Sequence, residues 1–560
     1  MAQQSRFNLP QTLQEAVALH QQGRLREAEK LYTRVLKAAP ENFNALHLLG
    51  LIKAQSGQMG EAYRLMSAAL KTNGKAPDVL LNLANVLHAL KRDAEALDCL
   101  DRALAMQPGD PGTLLHRANS LLTLNRPQDA LDSFNQTLVR DPRNASALLG
   151  RGSALAALDL TAEALADFDA CLALAPGHPA ALYNRGTALA LLNRHDEALA
   201  AFDQAIATVP DHVRAWNNRG RTLQALSRHA EAIESFDRAI AGQKDYADAH
   251  FNRALSRLTL GDLRHGFEQY EWRWKRTGMT DARRAYGRPL WHGEYPIARK
   301  TILLHAEQGL GDTIQFARYV PLLARDGATV VLEVPAELKR VLAGLAGVTA
   351  GYARGEKLPA FDVHCPLGSL PLALRTEPAT IPADIPYLRA DEPHLAKWRA
   401  RLDALPGKRV ALSWAGNRSH PNDRNRSIEL KLLEPLFALD GVSFLSIQRE
   451  LRAQDAELLA RHRNVTALGE ELDDMADTAA VTTLADLTIA VDTAVAHLAG
   501  SLGRPLWVML PFAPDWRWTL TGEHSPWYPK ARLFRQPALD NWASMIETLR
   551  AELARFIAPE

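Results

Sequence analysis

Along the first half of the chain, small positions recur with a step of 34 residues. Gly or Ala stands at Ala16, Gly50, Ala84, Ala118, Gly152, Gly186, Gly220 and Ala254. A second series runs Ala28, Ala62, Ala96, Ala130, Ala164, Ala198 and Ala232. Prolines follow at Pro40, Pro108, Pro142, Pro176 and Pro210, and an aromatic ladder at Phe134, Phe168, Phe202 and Phe236. Small residues let two helices approach closely, the aromatic fills the gap between pairs, and the proline ends each unit. The pattern predicts an α-solenoid of eight helical pairs over residues 9–275.

From residue 300 the period changes. Short β-rich runs appear at 301–307, 328–334, 409–416, 442–448, 487–491 and 505–510. Helical stretches such as 312–325, 336–345 and 428–439 separate most of them. Strands alternating with helices predict parallel sheets covered on both faces. The reading is an α/β unit of two Rossmann-like lobes, 300–390 and 391–540, after a connector at 276–299. The proline-rich stretch 382–393 links the lobes, and a final helix in 541–560 is expected to pack back across the first lobe.

The four interlocking series resemble the tetratricopeptide repeat. An array of this kind presents a concave groove for peptides or proteins. Asn82, Asn184, Asn218 and Asn252 share one position and are candidates for that groove, since an amide offers both donor and acceptor to a peptide backbone. Arg117, Arg151, Arg185, Arg219 and Arg253 occupy the next position. They either line the groove or pair with Asp101, Asn135, Asp169, Asp203 and Asp237, which keep the same step. The eighth unit breaks pattern at Gly266 and runs into FEQYEWRW (Phe267 to Trp274), which reads as the joint onto another domain.

Composition narrows the function classes. The 560 residues carry 65 basic and 64 acidic side chains, a net charge of +1, which argues against gripping a polyanion through bulk charge. No nucleic-acid partner is therefore expected. Cys99, Cys171 and Cys365 lie far apart, so neither a disulfide framework nor a zinc module is expected. The N-terminus has no apolar core for a signal peptide, and no apolar run is long enough for a transmembrane helix. The expected location is cytoplasmic.

Two motifs carry candidate chemistry. The first strand runs into GLGD, where Gly309 and Gly311 let backbone approach a ligand. Asp312 is either a helix cap or a carboxylate at the strand end where open α/β sheets meet ligands. A dinucleotide fingerprint would need glycine at position 314, which is Ile314. The second motif, DTAVAHLAGSLGRP, follows the strand 487–491. Asp492, Thr493 and His497 with the helix N–H groups could bind a diphosphate; alternatively Thr493 caps the helix and His497 is a packed surface residue.

Together, GLGD and D-T-x-x-x-H-L-A-G-S-L-G-R-P resemble the heptosyltransferase-like glycosyltransferases of the GT-B fold (glycosyltransferase family 9), over residues 300–540. The resemblance implies an inverting enzyme that uses a nucleotide-diphosphate sugar as co-substrate, with no cofactor and no bound metal. It makes Asp312 the general base on the acceptor hydroxyl and gives Asp492, Thr493 and His497 to the donor diphosphate. It also implies donor contacts from the loop Ser413 to Ser427. There Asn417, Arg418, Arg424 and Arg426 are candidate phosphate partners or a solvated loop, and Gln448 is a candidate ribose or base contact. The family often has a lysine near this loop; here none occurs before Lys431. Protein O-linked N-acetylglucosamine transferases resemble the architecture, though their catalytic motifs fit less well. The expected function is transfer of a sugar to an acceptor recruited by the repeats, with a protein as first candidate. A glycan or lipid-linked glycan acceptor, and a non-catalytic scaffold with a degenerate transferase half, remain the alternatives.

Overall fold

The computed structural model describes residues 8–279, 284–420 and 422–558. The start of the N-terminus, read above for a signal peptide, lies partly outside them, as do part of the connector and Pro421 in the loop 413–427. The chain divides into two compact units, Met1–Pro210 and Asp211–Glu560.

The first unit holds six helical pairs, from Leu9–Gln21 with Leu25–Ala38 to Pro179–Leu191 with His195–Thr208. First helices start on side-chain caps: Asn42, Asp110 and Asn144 each accept the N–H three residues on. Second helices end two residues before the proline ladder, for example at Ala38, Met106 and Arg140. A further 34-residue series closes each first helix. Gly23, Gly57, Lys91, Asn125, Asp159 and Asn193 all have φ between 55° and 76°, the left-handed turn that ends a helix by capping its last carbonyls. Four of the six are not glycine, which is why composition did not reveal this series.

The small-residue and aromatic ladders meet face to face. A Cβ built on Gly152 or Gly186 would lie 2.6 or 2.7 Å from the ring of Phe168 or Phe202. Both rings are fully buried and cannot give way. Gly186→Ala is therefore expected to destabilise the first unit by about 1–3 kcal/mol through overpacking, read as a lowered urea midpoint. An unchanged midpoint would show that the helices can spread.

The second unit opens with two more pairs, Val213–Ala225 with His229–Gly242 and Ala247–Thr259 with Leu263–Tyr270. It continues into two fully parallel sheets. The first has strands β1 (Thr301–His305), β2 (Thr329–Val334), β3 (Val348–Ala353) and β4 (Val363–Pro366), in order β3-β2-β1-β4. The second has β5 (Lys408–Ser413), β6 (Val442–Ser446), β7 (Val465–Ala467), β8 (Leu487–Val491), β9 (Leu506–Leu510) and β10 (Ala531–Arg535), in order β10-β9-β8-β5-β6-β7. Strand order reverses direction between β1 and β4 and between β5 and β8. Those are the switch points outside which open α/β sheets bind ligands.

The eighth pair shares a core with the first sheet: Leu258, Phe267 and Tyr270 cluster with Ile302, Leu304 and Ile314. The segment after Phe267 is thus a joint, as its pattern suggested. The final helix differs from expectation. Trp542–Ile557 buries Trp542, Met545, Ile546, Leu549 and Leu553 against Val410, Leu412, Trp507 and Phe534, so it packs on the second sheet, not the first lobe. Its apolar face matches the surface left open beside β9 and β10. Among the described residues no helix is long and apolar enough to cross a membrane.

Candidate functional site

The loops after β1, β5 and β8 carry the sequence motifs to the two switch points. Gly309 is the residue before the helix Leu310–Ala317, and its N–H donates to Asp312 Oδ2 at 3.2 Å. Asp312 therefore serves as a first-turn carboxylate. Its other oxygen accepts from Arg517 Nη2. Asp312 keeps 28% of its side chain exposed, so the pair leaves it open to a ligand.

Gly311 lies against the second motif. A Cβ there would stand 2.7 Å from His497 Cδ2, so only glycine lets this helix start approach the helix Ala494–Ser501. His497 is buried rather than a surface residue; its Nδ1 meets the Tyr528 hydroxyl at 2.9 Å and its ring stacks on Trp518 at 5.4 Å. Burial, with Arg517, Arg318 and Arg426 nearby, holds its pKa well below the usual value, so the imidazole is neutral. Thr493 stands before that helix without capping it; its hydroxyl donates to Val491 O at 3.3 Å.

Asp492 lies 3.9 Å from His497 Nε2. Burial pushes its carboxyl up to about 6, helped by the neighbouring Asp515. Arg426 ties the loops together: Nη1 donates to Asp492 O at 3.0 Å, and Nε reaches Asp423 Oδ1 at 3.4 Å. Asn417 and Arg418 are exposed on the same loop, where Asn417 Oδ1 accepts the Ser419 N–H at 2.9 Å. His420 faces Arg426, Asp423, Asp312 and Asp515, and burial with Arg426 lowers its pKa.

Gln448, the candidate ribose or base contact, is held at the end of β5. It is 7% exposed, and its Oε1 accepts from Ser413 Oγ and from the N–H groups of Trp414 and Ala415, at 3.1–3.2 Å. Its amide oxygen thus orders the chain at the end of β5.

The residue that sequence reasoning missed is Arg517. It is buried, donates to Asp515 at 2.8 Å, and binds both Asp312 and Gln315 Oε1. It thereby joins a loop after β9 to the helix after β1. The only hint was its place between Trp516 and Trp518, and no periodicity flags it. Arg273 was missed as well. Buried at the end of the eighth pair, it bonds Glu271, Glu307 at 3.1 Å and Ser369 at 2.7 Å. Burial pushes Glu307 up to about 7, against the pull of Arg273. This cluster ties the loops after β1 and β4 together, and Asp312 is more exposed than its buried Glu307.

The repeat ladders resolve differently from one another. The arginines pair structurally: Arg117 with Asp101 at 2.6 Å, Arg151 with Asp167 and Asn135, Arg185 with Asp169 at 2.6 Å, and Arg253 with Asp237. Arg219 Nη1 donates to Ser235 at 2.8 Å. The asparagines bridge neighbouring first helices: Asn82 to His47 at 3.0 Å, and Asn184 to Ser153 at 3.4 Å. Asn218 accepts from Asn217, and Asn252 donates to Asn217. Asn82, Asn184 and Asn218 stay partly exposed, and Asn252 is buried.

Among the described residues, His394, Asp474 and Asp477 bring three potential metal-ligand atoms together. Arg340 and Lys397 already supply the positive charge there, Lys397 at 3.0 Å from Asp477.

A family model described as tetratricopeptide repeat matches residues 115–179, 159–213, 183–247 and 217–264. A second, described as anaphase-promoting complex, cyclosome, subunit 3, matches 21–103. Protein FlbA of Caulobacter vibrioides (strain ATCC 19089 / CIP 103742 / CB 15) is 28% identical over 332 residues, 55% of each chain. The chain thus spans about half the length of this curated relative. A tetratricopeptide repeat protein from Parabacteroides merdae ATCC 43184 is similar at a TM-score of 0.37 and 18% identity, covering 44% of this chain and 98% of that one. A thermophilic repeat protein of Thermus thermophilus is similar at a TM-score of 0.29 and 25% identity, covering 33% and 100%. With sixteen paired helices in the expected register, the chain carries an N-terminal tetratricopeptide repeat array followed by an α/β region of parallel sheets.

Proposed function

We propose that the α/β region is a metal-independent, inverting glycosyltransferase of GT-B type, and that the repeats recruit its acceptor, a protein. One observation supports the reading: the helix Leu310–Ala317, which carries Asp312 beside the first sheet's switch point, packs through Gly311 on His497 and the helix at the second sheet's switch point. An acceptor hydroxyl would give its proton to Asp312 as its oxygen attacks the anomeric carbon from the face opposite the diphosphate. The bond from that carbon to the diphosphate oxygen breaks, and the configuration inverts. Each Asp312 oxygen has two lone pairs, so binding Arg517 and the Gly309 N–H leaves acceptor capacity for that proton.

On the leaving side, the free N–H groups at the start of helix Ala494–Ser501 and the Arg426 guanidinium offset the charge growing on the diphosphate. Arg426 supplies a cation in the region where the resembling family often carries a lysine. Exposed Arg418 is the second candidate. The test is a thermal-shift and product-release screen across nucleotide-diphosphate sugars with a chelator present. One of them is expected to raise the melting temperature and release its nucleoside diphosphate.

Asp492 gives that donor a pH dependence. A sugar-linked diphosphate does not titrate near neutrality, but Asp492 does, at about 6. Protonated, it can donate to a phosphate oxygen; ionised, it repels the anion. Donor affinity is expected to fall by about tenfold as pH rises from 5 to 7, and Asp492→Asn should flatten the profile. Titration calorimetry at the two values reads this directly, and a profile unaffected by the substitution would remove Asp492 from the donor site.

A further inference from the structure

Charge is distributed unequally between the two helices of each repeat in the first unit. The first helices Pro77–Ala89, Pro111–Thr123, Ala145–Ala157 and Pro179–Leu191 hold four charged residues: Asp78, Arg117, Arg151 and Arg185. The second helices that follow them hold fourteen. All three arginines pair with carboxylates on second helices: Arg151 with Asp167 of its own pair, and Arg117 and Arg185 with Asp101 and Asp169 of the preceding one. Asp78 is the one remaining charge on this set of first helices.

These first helices pack on one another in sequence and form a continuous wall. Two series, one turn apart, share a face of that wall. Leu81, Leu115, Leu149 and Tyr183 are half-buried; Asn85, Asn119, Ser153 and Thr187 lie beside them, the two asparagines exposed. The Asn82–His47 and Asn184–Ser153 bonds stitch neighbouring helices along it. His47 and His116, on the same wall, are held below the usual histidine pKa by burial and are neutral. At its N-terminal end the wall opens into a cavity of about 470 Å³ lined by Leu13, Gln14, Val17, Ala18, Asn44 and Leu48, with Gln21 at its side. None of these is charged.

Deepening the recruiting role proposed above, we infer that this wall binds a polypeptide segment free of charged side chains, built from Ser, Thr, Asn, Ala and Leu. Amides and hydroxyls satisfy the backbone and side-chain polar groups of such a segment, and the leucine series covers its apolar ones. A lysine or glutamate laid on the wall would lose water without gaining an opposite charge, so the surface selects by exclusion. A segment rich in serine and threonine is also a source of acceptor hydroxyls.

The test measures binding alone, with no nucleotide-sugar, so an inactive transferase region leaves its outcome untouched. The full chain is titrated against a fluorescein-labelled peptide of about twenty Ser, Thr, Asn, Ala and Leu residues, and against versions carrying lysines or glutamates at every fourth position. Anisotropy is expected to give affinity about tenfold tighter for the uncharged peptide than for either control. It should change by less than about twofold between about 50 and 500 mM salt. Asn119→Lys, on the exposed surface, should weaken the uncharged peptide by about tenfold at an unchanged melting temperature. Equal binding of the three peptides, no binding of the uncharged one, a steep salt dependence, or indifference to Asn119→Lys would each overturn the inference.

Discussion

Asp312→Asn is expected to lower sugar transfer by about 10²- to 10⁴-fold while leaving donor affinity within about twofold. The amide keeps the shape of the side chain and can still accept one hydrogen bond from Arg517, whose guanidinium retains Asp515 as its counter-ion. What it loses is the ability to take a proton from the attacking hydroxyl. The split matters more than the size of the loss. A merely structural Asp312 would show lower melting temperature and weaker donor binding together. A catalytic one shows intact binding and absent turnover. Single-turnover transfer and calorimetric donor titration on the same preparation separate the two.

Arg517→Met is expected to produce the largest loss of stability, about 3–5 kcal/mol in the second unit. Arg517 is 7% exposed and is shared by Asp312, Asp515 and Gln315. Removing it leaves Asp312 and Asp515 without their common cation, in a region where Asp492 already resists ionisation. It also cuts a link between the loop after β9 and the helix after β1. Urea unfolding followed by tryptophan fluorescence isolates this unit, because all eleven tryptophans, Trp216 to Trp542, lie in it. A midpoint shift worth less than about 1 kcal/mol would mean that the network is solvated and replaceable.

The repeats were legible because their physics is periodic. A step of 34 residues puts each small residue against the same ring, so Gly186 and Phe202 announce one another in the sequence. The left-handed turns were not legible, since Lys91, Asn125 and Asp159 adopt them as Gly23 does. Chemistry decides whether such a turn costs little, but neighbours decide whether it forms. In the α/β region the central strands announced themselves as β-branched runs. Short edge strands such as β7 (Val465–Ala467) and the mixed-burial β3 (Val348–Ala353) did not.

The site shows the same division. Glycines and a carboxylate after a strand are local signals, so Gly309, Gly311, Asp312 and the Asp492–His497 turn could be read directly. Arg517 and Arg273 could not. Each gains its meaning from partners far away in sequence, Asp312 in one case and Glu307 and Ser369 in the other. Gln448 shows the converse: its position at a strand end suggested a ligand contact, and the N–H groups of Trp414 and Ala415 bond its oxygen, which the sequence did not announce. The final helix followed the same rule: its apolar face found distant partners, Val410, Leu412, Trp507 and Phe534 of the second sheet.

The central claim is that this α/β region transfers a sugar from a nucleotide-diphosphate donor. Its most direct measurement is release of nucleoside diphosphate from a donor panel in chelator-containing buffer, with the intact chain and Asp312→Asn run side by side. The intact chain is expected to release nucleoside diphosphate from one donor, undiminished by the chelator, and the variant to release it near background while still binding that donor. Binding of no donor in the panel, or equal release by the two proteins, would contradict it.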